Sequence, residues 1–190
     1  MIKYNIHNEK ATSERKNISS DITFFFSVFV INGENLKAKG HWGLALLILS
    51  IIAMPFGINI YIISLIFLTA FLSSLPDIDL KLGISHRTIT HTILFALLAG
   101  TIFCIVFGTV TKENIWYIIG FLAGFGGVML HLLGDLMTYM EFKPLYPFSS
   151  KEFAFGWFRA NNFFMNQGFF ILGWLVFFWY IFLQLGDKFI

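Results

Sequence analysis

Residues 40–76 read GHWGLALLILSIIAMPFGINIYIISLIFLTAFLSSLP, 37 positions without one Asp, Glu, Lys or Arg. A helix needs about 20 apolar residues to cross the hydrocarbon of a bilayer, so this run has room for two. Its middle, Met54-Pro55-Phe56-Gly57-Ile58-Asn59, is a turn signal. Proline removes a backbone donor, and Gly and Asn favour turn conformations, so one continuous helix is broken there. Three more charge-free runs follow at 88–111, 114–134 and 160–186, of 24, 21 and 27 residues. Each holds one helix. The fold expected is all-α, a polytopic transmembrane bundle of about five spans near 42–56, 58–74, 90–110, 115–138 and 167–185.

Composition agrees. Apolar residues make up 57% of the 190 residues, against roughly 45–50% in soluble domains. Charged residues make up 13%, about half the usual share. Mean hydropathy is +0.74. A soluble fold of this size keeps too much surface in water to hide that much apolar area. The same numbers exclude intrinsic disorder. Cys104 is the only cysteine, which excludes a disulfide scaffold. A net charge of +2 gives no argument for a nucleic-acid partner.

Residues 1–38 form an extension and residues 39–190 the membrane-embedded domain. Positions 1–21 are polar and mixed in charge, with no apolar core behind a basic start, unlike a signal peptide. Positions 22–31 are apolar but too short to span, and suit an interfacial or packed segment. With five spans, the loops on the N-terminal side carry 11 Lys and Arg, and the opposite side carries only Lys112 and Lys188. Positive loops stay inside. The N-terminal side is therefore expected to be cytoplasmic.

Ionisable groups at membrane depth are costly and point to function. Here they share one end of the bundle. His41 opens the first span. Asp77 and Asp79 follow Pro76 after the second. His86, Arg87 and His91 lead into the third, and His131 and Asp135 close the fourth. Four of the five histidines are in this group. His131 and Asp135 are four apart, on one helical face. Imidazole with carboxylate and no thiolate suits Zn²⁺ first, then Mn²⁺ or Fe²⁺, rather than oxygen-seeking Mg²⁺ or Ca²⁺. Seven candidate metal ligands, His41, Asp77, Asp79, His86, His91, His131 and Asp135, are too many for one catalytic zinc with three protein ligands. Two or more ions are expected, or some of the seven orient the others. Asp135 and Asp77 are the candidate catalytic bases, and Arg87 a fork for a phosphate or a charge anchor.

Two further stretches carry weaker signals. Gly120-x-x-x-Gly124 permits close helix approach, within the chain or between copies. Residues 141–168 mix aromatics with Lys and Arg, as headgroup-level segments do, and suit a cover over the polar end or an ordinary connection. Nothing in the sequence assigns Asn161, Asn162 and Asn166 a role.

Four motifs in order, Leu75-Pro76-Asp77-Ile78-Asp79, His86-Arg87-Thr88-Ile89-Thr90-His91-Thr92, His131-Leu132-Leu133-Gly134-Asp135-Leu136-Met137-Thr138 and Pro144-Leu145-Tyr146-Pro147-Phe148-Ser149, resemble the YdjM-like family over roughly residues 39–160. The resemblance implies an inner-membrane, metal-dependent hydrolase with phospholipase-like activity. Carried over by position, its metal residues are the same seven. The extension of about 38 residues departs from the family, whose chains begin close to the first span. The expected reaction is hydrolysis of an ester, a phosphoester first, of a membrane lipid. The alternatives are a metal-ion or proton transporter and a non-catalytic, metal-stabilised scaffold. A metalloprotease of the His-Glu-x-x-His type is excluded because the motif is absent.

Overall fold

The charge-free runs fold into five helices: α1 (Asn35–Ala53), α2 (Ile60–Leu72), α3 (Ile93–Thr111), α4 (Asn114–Leu136) and α5 (Phe163–Gly186). The computed structural model describes residues 35–79, 87 and 89–186, with side chains from 38 onward. The readings made for residues 1–34, including the apolar stretch 22–31, lie outside the described residues, as does His86. Among the described residues there is no β-strand, only two isolated bridges.

Local chemistry sets the breaks. Asn59 caps α2, its Oδ1 accepting from the Ile62 amide at 3.0 Å. Thr92 caps α3, its Oγ1 accepting from the Phe95 amide at 3.1 Å. Each side chain satisfies a helix-end donor that lipid cannot satisfy. Lys112 adopts the left-handed conformation (φ 60°) and closes α3, so that α4 begins two residues later. Thr101, Thr109 and Thr111 return their hydroxyl hydrogens to carbonyls four residues back, which removes exposed donors from the apolar face of α3.

Three helices, α3, α4 and α5, are long and apolar enough to cross a membrane. The apolar part of α1, Ala38–Ala53, and the 13-residue α2 are shorter than the ~20 residues a crossing takes. The five expected spans are thus found as five helices, three of them long enough for a crossing and two shorter. The reason lies at the end of α2. The chain turns at Ser73, whose hydroxyl bonds to the Ala70 carbonyl at 2.6 Å, and Pro76 opposes helix in the residue before it. The apolar run extends past this point, but the helix does not.

Helix α4 is the centre of the bundle, packed on α3 and α2. A Cβ on Gly124 would lie 2.7 Å from the Ala99 carbonyl oxygen, and one on Gly120 would strike the Phe103 backbone. The Gly120-x-x-x-Gly124 pattern is therefore used inside the chain, against α3. Gly124→Leu is expected to cost about 1–3 kcal/mol through overpacking, seen as a lower unfolding midpoint in a denaturing-detergent titration. Unchanged stability with loss of a dimer would move the motif to an interface between copies. Outward, Leu98, Ile105, Val110, Phe178 and Phe182 are exposed, the surface a bilayer would cover.

Between α4 and α5 the chain makes a non-helical excursion. The Thr138–Phe158 and Phe142–Phe153 bridges bring residues 153–158 back beside the residues that follow α4. Phe148, Phe155 and Trp157 are exposed on it. Asn162 then starts α5, its Oδ1 accepting from the Met165 amide at 3.1 Å.

Candidate metal centre

Alternating helix directions bring one set of ends together: the start of α1, the end of α2, the start of α3 and the end of α4. His41 is in the second turn of α1, and His131 and Asp135 are in the last turns of α4. Asp77 and Asp79 lie in the turn after α2, and Arg87, Thr90 and His91 lead into α3. A Cβ on Gly134 would lie 2.7 Å from His41 Nδ1. Only glycine there lets the imidazole reach the group.

The side chains converge. His91 Nε2 lies 3.1 Å from His131 Nε2 and 3.3 Å from Asp135 Oδ2. His131 Nε2 lies 3.7 Å from both Asp135 Oδ2 and Asp77 Oδ1. His41 Nε2 lies 3.7 Å from Asp135 Oδ1, and its ring stacks on His131 with centroids 4.0 Å apart. Two triads result, His91–His131–Asp135 and His41–Asp77–His131. Their ligand atoms lie within 4.8 Å of one another. His91, His131 and Asp135 are buried, while Asp77, with its side chain 19% exposed, is the most accessible carboxylate of the two triads.

The donor set fits a cation. His131 Nδ1 donates to the Ser73 carbonyl at 2.7 Å, which leaves Nε2 as the lone-pair nitrogen. Thr90 has one hydroxyl hydrogen, and the acceptor-only Asp79 takes it at 2.8 Å. His91 Nδ1, 3.0 Å from the same hydroxyl oxygen, is therefore the donor of that contact, and His91 Nε2 also carries a lone pair. With these tautomers two imidazole lone pairs face each other at 3.1 Å, beside Asp135 Oδ2 at 3.3 Å from His91 Nε2. A divalent ion between them would resolve the conflict. For Zn–N bonds of ~2.0–2.1 Å, a tetrahedral site spaces its ligands by ~3.3–3.4 Å, within the 3.1–3.7 Å span of these contacts.

Of the seven predicted ligands, five, His41, Asp77, His91, His131 and Asp135, meet in the two triads. Asp79 stands one step behind. Its Oδ2 accepts from the Thr90 hydroxyl and, at 3.2 Å, from the Arg87 amide, and it lies 3.5 Å from His91 Nδ1. It orients His91, as carboxylates behind metal-bound histidines do. Arg87 differs from the open phosphate fork. Its guanidinium is engaged by Asp135 Oδ1 at 2.8 Å, by Thr138 Oγ1 and by the Met140 carbonyl. Only its Nε lacks a partner among the described residues.

Several contributors were not singled out from the sequence: Thr90, Thr138, the Ser73 and Met140 carbonyls, and Asn166. Thr90 sits inside the quoted His86–Thr92 motif, a hydroxyl next to a ligand histidine, and that was the available signal. Asn166 is buried and donates both amide hydrogens, to the Ala160 and Asn162 carbonyls. The centre opens into a cleft lined by His41, Asp77, Arg87 and Asp135, and by Leu44, Phe158, Ala160 and Phe169. The excursion after α4 thus contributes to the wall of the polar end, as a cover would.

The family model described as YdjM inner membrane protein matches residues 36–188, wider than the motif-bearing stretch. No curated protein and no solved structure matches the chain. Matched across nearly all of its helical part, the chain belongs to the YdjM inner membrane protein family.

Proposed function

We propose that this inner membrane protein is a metal-dependent hydrolase acting on a phosphoester or other ester of a membrane lipid, with its centre on the cytoplasmic face. One observation carries the reading. A buried His91–His131–Asp135 group adjoins a more accessible Asp77 at the wall of a cleft that is also lined by Leu44, Phe158 and Phe169. Polar chemistry and a hydrocarbon-compatible wall share one opening. The excess of Lys and Arg on the N-terminal side supports the orientation.

His91, His131 and Asp135, with His41 and Asp77, would hold the metal, zinc first. A bound ion supplies a water acidified towards pKa ~7 and a counter-charge for the scissile group. The chain's residues do the rest. Asp77, through the oxygen not given to a metal, is the carboxylate best exposed to accept the proton of an attacking water. Arg87 Nε is the donor left for an anionic oxygen. Leu44, Phe158 and Phe169 offer an acyl chain an apolar wall and exclude bulk water.

The test is purification in detergent, reconstitution with Zn²⁺ or Mn²⁺ into vesicles of mixed phospholipids, and mass spectrometry of the lipid products. Metal-dependent cleavage is expected, falling by ~10²–10⁴-fold in Asp77→Asn, the size of a lost general base. A protein that retains metal and cleaves no lipid would reject the hydrolase and favour the scaffold. Three buried hydroxyls, of Ser50, Thr69 and Tyr180, lack hydrogen-bond partners among the described residues. They favour a second reading, a metal-ion or proton transporter. Cation or proton flux in the same vesicles would select it.

A further inference from the structure

We propose that the centre fills in two stages. One divalent ion is held by His91, His131 and Asp135 in the resting protein, and a second is taken up at His41 and Asp77 only with an anionic phosphate-bearing ligand. The staging deepens the metal-dependent reading above and rests on it.

Two independent observations carry it. First, the two triads share His131. The Ser73 carbonyl holds Nδ1 at 2.7 Å, so His131 has one lone pair to give, on Nε2. One lone pair binds one ion. The His91–His131–Asp135 set is buried, its His91 is already oriented by Thr90 and Asp79, and its Nε2–Nε2 conflict is relieved by an ion there. That set claims His131. Asp135 Oδ1, 3.7 Å from His41 Nε2, is held by Arg87 Nη2 at 2.8 Å, so among the described residues His41 and Asp77 are left as two ligands, one short of the three usual at a catalytic ion. A third donor has to come from outside the two triads.

Second, charge balance decides what that donor is. Asp77, Asp79 and Asp135 formally carry three negative charges, and Arg87 carries one positive charge. One divalent ion neutralises this set. A second would leave an excess of two positive charges among largely buried side chains, a state that is expensive without a counter-ion. An anionic oxygen ligand supplies both the missing coordination and the missing charge. Arg87 Nε and Asp77 line the same cleft, where such a ligand would enter.

Delipidated protein in detergent would be loaded with Zn²⁺, dialysed, and its zinc counted by plasma mass spectrometry. Three arms would be compared: no phosphate, inorganic phosphate, and phosphatidylglycerol in mixed micelles. The expected count is one ion per chain without phosphate and two with a phosphate probe. A rise with phosphatidylglycerol alone identifies a lipid headgroup, and a rise with inorganic phosphate alone identifies a soluble anion. His41→Gln, checked for monodispersity, keeps the first ion and loses the increment, while Asp135→Asn loses the first. Two ions in the phosphate-free arm, no increment in either phosphate arm, or loss of the first ion in His41→Gln would overturn the staging. The count is independent of turnover. A protein that takes one ion and then two, and cleaves nothing, would keep the staging and lose the hydrolase.

Discussion

Replacing His131 is expected to abolish tight metal binding, and with it every metal-dependent property of the chain. His131 is the one residue common to both triads. Its Nε2 lies 3.1 Å from His91 and 3.7 Å from Asp77 and Asp135, so removing it opens the middle of the donor set rather than its edge. Losing a group that only orients a ligand costs 10–100-fold in metal affinity, so loss of this ligand should exceed ~100-fold. The comparison is built into the site. Thr90→Val removes the hydroxyl that links His91 to Asp79 and should fall inside that 10–100-fold range. Competition against a chromophoric chelator measures both. His131→Ala also vacates space under the stacked His41 ring, so His131→Gln, which keeps most of the volume, guards against simple misfolding. Zinc affinity within a few-fold of the parent in a well-folded His131→Gln protein would sink the assignment of both triads.

The helices were legible because lipid imposes a long-range rule on sequence. Every Asp, Glu, Lys and Arg is kept out of four runs, and α4, expected at 115–138, is found at Asn114–Leu136. The same rule placed α2, expected near 58–74 and found at Ile60–Leu72, but it does not say why the helix ends where it does. Residues 58–74 are as apolar as a span, but α2 stops at Leu72. The Ser73 turn that ends it presents a backbone carbonyl to His131, and hydropathy is blind to that contact. The ligand types were legible too, since histidine and aspartate at one membrane level have few cheap explanations. Their pairing was not. Asp79 and Asp77 are two residues apart in an identical-looking motif. One reaches the cleft and the other backs His91, a difference set by how the turn after Pro76 meets Thr90. Arg87 was ambiguous for the same kind of reason. Its partners Thr138 and Met140 lie just past the end of α4, in a non-helical excursion whose course no periodicity encodes.

Arg87→Met is expected to turn metal from an optional ligand into a folding requirement. Arg87 is 8% exposed, and its Nη2 lies 2.8 Å from an Asp135 carboxylate that is itself buried. Removing one partner of such a pair leaves an uncompensated charge and costs about 3–5 kcal/mol. The methionine retains much of the stem's volume, so the loss is mainly electrostatic. In chelator, the variant should unfold at a clearly lower denaturant concentration than the parent. With Zn²⁺, the ion supplies the positive charge that Asp135 has lost, so metal should recover more stability in the variant than in the parent. The sign of that difference separates a charge role from a packing role, because a packing defect is not repaired by an ion. Arg87→Lys should recover only part of the loss. A point charge on a flexible stem cannot span Asp135, Thr138 and the Met140 carbonyl as the planar guanidinium does. Arg87→Met combined with Asp135→Asn should be more stable in chelator than Arg87→Met alone, since the stranded charge is gone, and it should no longer respond to zinc. Equal stability of Arg87→Met and the parent in chelator would mean that Asp135 does not depend on the guanidinium, and that the arginine is free for the phosphate instead.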